Sequence, residues 1–106
     1  MSTPPASIVE ICSALGDDTR WEILRRLAVE PASASALAAR LPVTRQAIAR
    51  HLDVLREAGL VERERDGREV RYRALGATLN DAAAQLQAVA DGWDRRLAAL
   101  RRLAED

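Results

Sequence analysis

Leu41-Pro42-Val43-Thr44-Arg45-Gln46-Ala47-Ile48-Ala49-Arg50-His51-Leu52-Asp53-Val54-Leu55-Arg56-Glu57-Ala58-Gly59-Leu60-Val61 carries two patterns at once. Ile48, Leu52 and Leu55 recur at i, i+4 and i+7, the spacing of one apolar helix face. Thr44, Arg45, Gln46, Ala49, Arg50 and Asp53 fall on the other faces. Thr44 stands where a hydroxyl caps a helix N-terminus, and Gly59 where glycine follows a last turn. A helix with a buried back and polar residues free in its first turns is laid out to enter a DNA major groove.

The next residues extend that reading. Leu60-Val61-Glu62-Arg63-Glu64-Arg65 leads into Asp66-Gly67, and Arg68-Glu69-Val70-Arg71-Tyr72-Arg73 follows. Asp-Gly between two strand-like runs signals a hairpin. This one carries Arg63, Arg65, Arg68, Arg71 and Arg73. Interleaved Glu62, Glu64, Asp66 and Glu69 also fit a plain solvated hairpin, but its place straight after Gly59 makes it the wing of a winged helix.

Three segments together resemble the ArsR/SmtB-like winged-helix regulators. They are Ala14-Leu15-Gly16-Asp17-Asp18-Thr19-Arg20-Trp21-Glu22-Ile23-Leu24, Ala49 to Val61, and Asp66 to Arg73. The resemblance spans about residues 8 to 104. It implies a homodimeric transcriptional regulator, usually a repressor, that binds palindromic operator DNA near its own gene. The run Trp93-Asp94-Arg95-Arg96-Leu97-Ala98-Ala99-Leu100 is similar to a metal-independent subset of the family, often encoded beside small lipid-binding-fold proteins.

Composition bounds the rest. A chain of 106 residues suits one domain with a modest core. It has no Phe and three aromatic residues, so the core is aliphatic. All sixteen basic residues are Arg, which with the abundant Ala suggests a GC-rich bacterial genome. Sixteen acidic residues bring the formal charge to zero, and a neutral protein has no bulk field for nucleic acid. Between Arg40 and Arg73, however, nine Arg face six acidic residues. Modest nonspecific affinity with steep salt dependence is expected. No apolar run is long enough for a membrane span, the N-terminal residues lack signal-peptide character, and one Cys excludes an internal disulfide. A cytoplasmic location is expected.

The coarse layout is mainly α with a small β-hairpin wing, in the order α-α-α-α-β-β-α. Residues 1–5 are expected to be a disordered tail and residues 6–106 one DNA-binding and dimerisation domain. The first helix runs from about Ser7 to Leu15 with Ile8, Ile11, Cys12 and Leu15 on one face. The second, capped by Asp17 or Asp18, runs to about Val29 with Ile23, Leu24 and Leu27 inward. The third, capped by Ser33 or Ser35, runs to Leu41. The last runs from about Thr78 to Leu103. On it Leu79, Leu86, Trp93 and Leu100 recur every seven residues, and Val89, Leu97 and Leu103 widen the stripe. A small winged-helix core cannot cover so long a stripe, so a homodimer interface is expected from Ile8, Ile11, Leu79, Leu86, Val89, Trp93, Leu97 and Leu100.

Roles on the DNA side follow from residue chemistry. Arg45 and Gln46 suit guanine and adenine edges, and Arg50 a base or a phosphate. Thr44 can hold phosphate as well as cap. Ala49 lies on the same front. Arg65 and Arg68 belong to the wing, with Arg68 at its tip suited to a narrow minor groove. The resemblance puts His51 on the recognition helix, where it packs or touches phosphate rather than reading a base.

The best-known members of the family release DNA on binding metal, through a Cys pair in the third helix or His and carboxylate ligands across the last. Here Ser33 and Ser35 stand at roughly the thiolate positions, and hydroxyls are poor ligands for soft metals. The last helix has Asp81, Asp91 and Asp94 but no His. Asp91 and Asp94 are one turn apart, which fits a solvated face better than a cation site. No metal site and no cofactor is expected, and an effector would be an unknown small molecule. Cys12 falls on the apolar stripe of the first helix, where a buried inert thiol is expected; a thiol-based redox or metalloid sensor is the alternative. Trp21 and Trp93 could line an effector pocket, but core or interface packing is the plainer reading. No phosphate loop, HExxH or nucleophile–base set is present, so an enzyme is not expected. A dimeric interaction module that no longer binds DNA is the remaining alternative.

Overall fold

The computed structural model describes residues 7–105, so the expectation for residues 1–5 lies outside the described residues. The elements are α1 (Ile8–Leu15), α2 (Asp18–Val29), α3 (Ala34–Arg40), α4 (Arg45–Glu57), β1 (Val61–Asp66), β2 (Glu69–Ala74) and α5 (Gly76–Glu105). This is the expected order. The strands form one antiparallel two-stranded sheet with Val61 opposite Ala74 and Asp66 opposite Glu69.

Each of the first four helices starts on a side-chain cap. Ser7, Asp17, Ser33 and Thr44 accept hydrogen bonds from the backbone N–H of Glu10, Arg20, Ala36 and Ala47, at 2.9–3.1 Å. Each occupies one donor that the first turn leaves unpaired. Asp17, not Asp18, caps α2, and Ser33, not Ser35, caps α3. At the far end of α4, Gly59 adopts φ +73°. Its N–H donates to the Arg56 carbonyl and that of Leu60 to the Leu55 carbonyl, both at 2.9 Å. That pair of bonds is a Schellman ending, which needs a left-handed residue.

The core is one aliphatic cluster. Ile23, Leu24 and Leu27 of α2, Leu37 of α3, and Ile48, Leu52 and Leu55 of α4 meet Leu60 and Val61 at the entry to the hairpin. The α2–α3 connection is pinned to the wing by Ala32 and Tyr72, which exchange backbone hydrogen bonds of 3.1 and 2.8 Å.

Three expectations need correction. Cys12 is exposed rather than buried. The inward face of α1 is Ile11 and Ala14, with Ile8 and Leu15 partly buried beside them. Cys12 lies about 100° around the helix from Ile11 and so shares the outer face with exposed Val9. The hairpin turns on Gly67 and Arg68 rather than on Asp66 and Gly67, since Asp66 still pairs with Glu69. Only Gly67 there has positive φ, +66°. Helix α5 begins two residues before Thr78 and ends two after Leu103.

Neither tryptophan is in the core: Trp21 and Trp93 are both exposed large apolar residues. Helix α5 has 30 residues, a length of about 45 Å, and Ala82 is its one buried residue among those described. The radius of gyration is 18.3 Å, against about 13 Å for a compact domain of this size. The terminal helix therefore extends well past the core it starts on.

Candidate nucleic-acid interface

Helix α4 divides as its spacing predicts. Ile48, Leu52 and Leu55 are each 0% exposed, and their burial against α2 and α3 fixes which face is left outside. On that outer face Thr44, Arg45, Gln46, Ala49 and Arg50 are all exposed. The Thr44 hydroxyl accepts from Ala47 N–H, so the cap and the front of the helix share a residue. His51 is half-buried and turned back toward α2, where its Nδ1 lies 3.4 Å from the Arg20 guanidinium. That position agrees with a packing role.

The wing sorts its charges by face, which the sequence reading did not anticipate. Cross-strand partners point to the same side of a sheet. One side therefore carries Glu62, Glu64, Asp66, Glu69, Arg71 and Arg73, and the other Val61, Arg63, Arg65, Val70, Tyr72 and Ala74. On the first side Arg73 pairs with Glu62 and Glu64, and Arg71 with Asp66 and Glu69 at 3.4 and 3.2 Å. All four wing carboxylates thus share a face with two of the arginines. Arg63 and Arg65 remain on the side without acid, and Arg68 extends from the turn. None of these three has an ion-pair partner among the described residues.

The same division holds on α4. Arg56 pairs with Asp53 at 3.7 Å, while Arg45 and Arg50 have no such partner among the described residues. The four arginines expected at DNA are therefore all without a neutralising partner among the described residues. Exposed, unpaired guanidinium groups lose little on meeting phosphate and can fork onto a base. Arg40, at the end of α3, likewise has no ion-pair partner among the described residues.

The other residues singled out in the sequence take the following places. The cleft between α2, α3 and β2 is lined by Arg25, Arg26, Arg40 and Arg71. Three of these are already ion-paired, Arg25 and Arg26 both to Glu22. The Ser33 hydroxyl is occupied as a cap. Among the described residues no three His, Cys, Asp or Glu side chains converge as a metal site, and Asp91 accepts from Gln87 at 2.9 Å. Of the residues expected at a dimer interface, Leu86, Val89, Trp93 and Leu100 are exposed, and Ile8, Leu79 and Leu97 partly buried. Ile11, at 2%, is spent on the chain's own core. No helix is long and apolar enough to cross a membrane among the described residues.

A two-faced helix following a capped helix and turn, with a hairpin wing directly after it, defines a winged helix-turn-helix DNA-binding protein. Residues 15–64 match a helix-turn-helix domain family. The HTH-type transcriptional regulator CmtR of Mycobacterium tuberculosis is 36% identical over 81 residues, covering 76% of this chain and 69% of the relative. An ArsR-like transcriptional regulator from Rhodococcus sp. RHA1 superposes with a TM-score of 0.86 at 55% identity, with 92% of each chain covered. The homodimeric winged helix-turn-helix DNA-binding domain of Mb0332 from Mycobacterium bovis, a possible ArsR-family regulator, superposes at 0.65 with 28% identity, covering 79% of this chain and 78% of that one. The chain belongs to the ArsR-like winged helix-turn-helix family of transcriptional regulators. It is a DNA-binding regulator of a non-enzymatic class.

Proposed function

We propose that this regulator acts as a homodimeric, autoregulatory repressor of a palindromic operator, with α4 in the major groove and the wing tip in the adjacent minor groove. The observation that carries this reading is that every arginine of the expected DNA face lacks an ion-pair partner among the described residues. Arg45, Arg50, Arg65 and Arg68 lack ion-pair partners among the described residues, while Arg56, Arg71 and Arg73 have them. Arg45 and Gln46 read bases, Arg50 and Thr44 hold backbone or base, and Arg68 enters the minor groove.

The dimer forms through the outer face of α1 and the stripe of α5. Leu86, Val89, Trp93, Leu100 and Leu103 are exposed along a helix that leaves the core. An apolar row of that length on an extended helix matches a second copy of itself across a two-fold axis. The homodimeric Mb0332 domain supports the same assembly. The effector is not a soft metal held by the third helix, because serines stand there. Sedimentation equilibrium, with DNase footprinting of the DNA upstream of the gene, tests the reading. A dimer protecting one two-fold symmetric site is expected; a monomer, or no protected site, would count against it.

A second reading rests on Cys12. It is exposed on α1, and access is one requirement of a sensing thiol. Under this reading oxidation at Cys12 disturbs the α1 side of the dimer and releases DNA. Cys12→Ser protein that still leaves its operator on oxidant treatment would exclude it.

A further inference from the structure

Arg20 lies in the first turn of α2, and its side chain is only 19% exposed. Its Nε donates to the Ala14 carbonyl at 2.6 Å, and its Nη2 reaches the Ser13 carbonyl at 3.5 Å. Both carbonyls belong to the last turn of α1, where intrahelical partners run out and a cation is favoured. The third nitrogen, Nη1, sits 4.0 Å from the Asp17 carboxylate and 3.4 Å from Nδ1 of His51 on α4. One planar group thus touches the end of α1, the cap of α2 and the middle of the recognition helix.

A guanidinium has donors and no acceptor, so a hydrogen bond at this 3.4 Å contact requires Nδ1 of His51 as acceptor and leaves the ring proton on Nε2. The apolar back of α4 sets how deeply that helix docks, through contacts with little directional preference. The hydrogen bond adds a direction, which resists roll about the helix axis. A small roll would move Arg45 and Gln46 off the base edges they pair with, and bidentate pairing tolerates little misplacement.

We propose that Arg20 is a positioning residue for DNA recognition: through His51 it fixes the roll of α4 relative to α1. It does so without touching DNA. The inference rests on the reading of Arg45 and Gln46 as base contacts. Because α1 lies on the proposed dimer side, the same clamp sets the recognition helix against the two-fold axis. Loss of Arg20 or His51 therefore costs discrimination rather than general DNA affinity.

The test is a double-mutant cycle on Arg20→Gln and His51→Ala, with His51→Asn as the conservative variant. Affinities are measured for the duplex upstream of the gene and for a scrambled duplex. In parallel, the ring nitrogens of His51 are read by 15N NMR at about pH 8, above the ordinary imidazole range. Each single variant should reduce the ratio of specific to scrambled affinity by about 3- to 10-fold. The double variant should be no worse than either single. His51→Asn, whose amide oxygen can accept near the Nδ1 position, should recover most of the ratio. The wild-type ring should show the Nε2–H tautomer, and Arg20→Gln should release it to a mixture.

Additive losses in the double variant, or an Nδ1–H tautomer in the wild type, would overturn the proposal. So would equal losses on both duplexes with a lowered melting temperature, which mark a merely structural contact. Failure of the wild type to prefer its upstream DNA would challenge the autoregulatory reading instead, and the NMR result would still decide the clamp.

Discussion

Thr44 and Gly59 bound the recognition helix, and both act through the backbone. Thr44→Ala removes the acceptor for Ala47 N–H and should lower stability by about 1 kcal/mol, read as a shift in urea midpoint. A Cβ at Gly59 would meet Thr78 Oγ1 at 3.7 Å, which is ordinary contact. Gly59→Ala should therefore cost only the left-handed backbone penalty, about 1–2 kcal/mol. A neutral effect would mean that the turn relaxes to a right-handed form. The two arginines proposed at DNA, Arg45 and Arg68, separate by kind of contact. Arg45→Ala should weaken operator binding by about 1–3 kcal/mol and relax one base preference, whereas Arg68→Ala should flatten the salt slope and cost most on duplexes with a narrow A·T minor groove beside the site. Unchanged operator affinity in Arg45→Ala would remove that residue from the site. Asp17 adds a pH dependence. The backbone N–H of Arg20, which Asp17 accepts, holds its carboxyl below the usual range, and the Arg20 charge acts the same way. A depressed folded pKa contributes stability above the unfolded value and loses it as pH falls through the folded one. Asp17→Asn keeps a capping oxygen but not this dependence. The stability advantage of wild type over Asp17→Asn should hold at neutral pH and close in acid; a constant difference would contradict it.

Elements differ in how much of them the sequence revealed. Helix α4 was legible to the residue because its apolar spacing, its cap and its glycine ending all agree. Helix α2 was nearly so, its inward residues Ile23, Leu24 and Leu27 being as expected. Cys12 was misplaced because α1 is short and alanine counts as apolar: Ala14, not Cys12, completes the inward face, and only packing against α2 decides between them. The wing was legible as a hairpin but not as a two-faced one. Its net charge could be counted, whereas the segregation of acid from Arg63 and Arg65 needs the register, and the register depends on which two residues form the turn. A one-residue shift would exchange the faces. Arg20 lies within a legible motif, but its role is not legible, since its partners lie on α1 and on α4, 31 residues away. The long stripe of α5 is legible from its heptad spacing, and Leu86 and Trp93 are exposed along it. Trp93→Asp should convert a dimer to a monomer in sedimentation and abolish tight operator binding while the far-UV spectrum of the helices persists. An unchanged dimer would remove the stripe from the interface.

At the scale of the whole molecule, zero net charge and a specific DNA surface are compatible because the fold spends its acid locally. Glu62, Glu64, Asp66 and Glu69 neutralise Arg71 and Arg73, Glu22 takes Arg25 and Arg26, and the arginines of the α4 front and wing tip have no acidic partner among the described residues. A protein so arranged gains little from bulk attraction, and the proposed dimer would depend on matching two recognition helices to two half-sites, roughly 34–36 Å apart. The direct test is fluorescence anisotropy of the purified protein on the DNA upstream of its own gene and on a scrambled duplex, across a salt series with stoichiometry measured. The account predicts two subunits per site and a preference of about a hundredfold or more for the upstream DNA. Equal, weak and salt-sensitive binding to both duplexes would contradict autoregulation from that site.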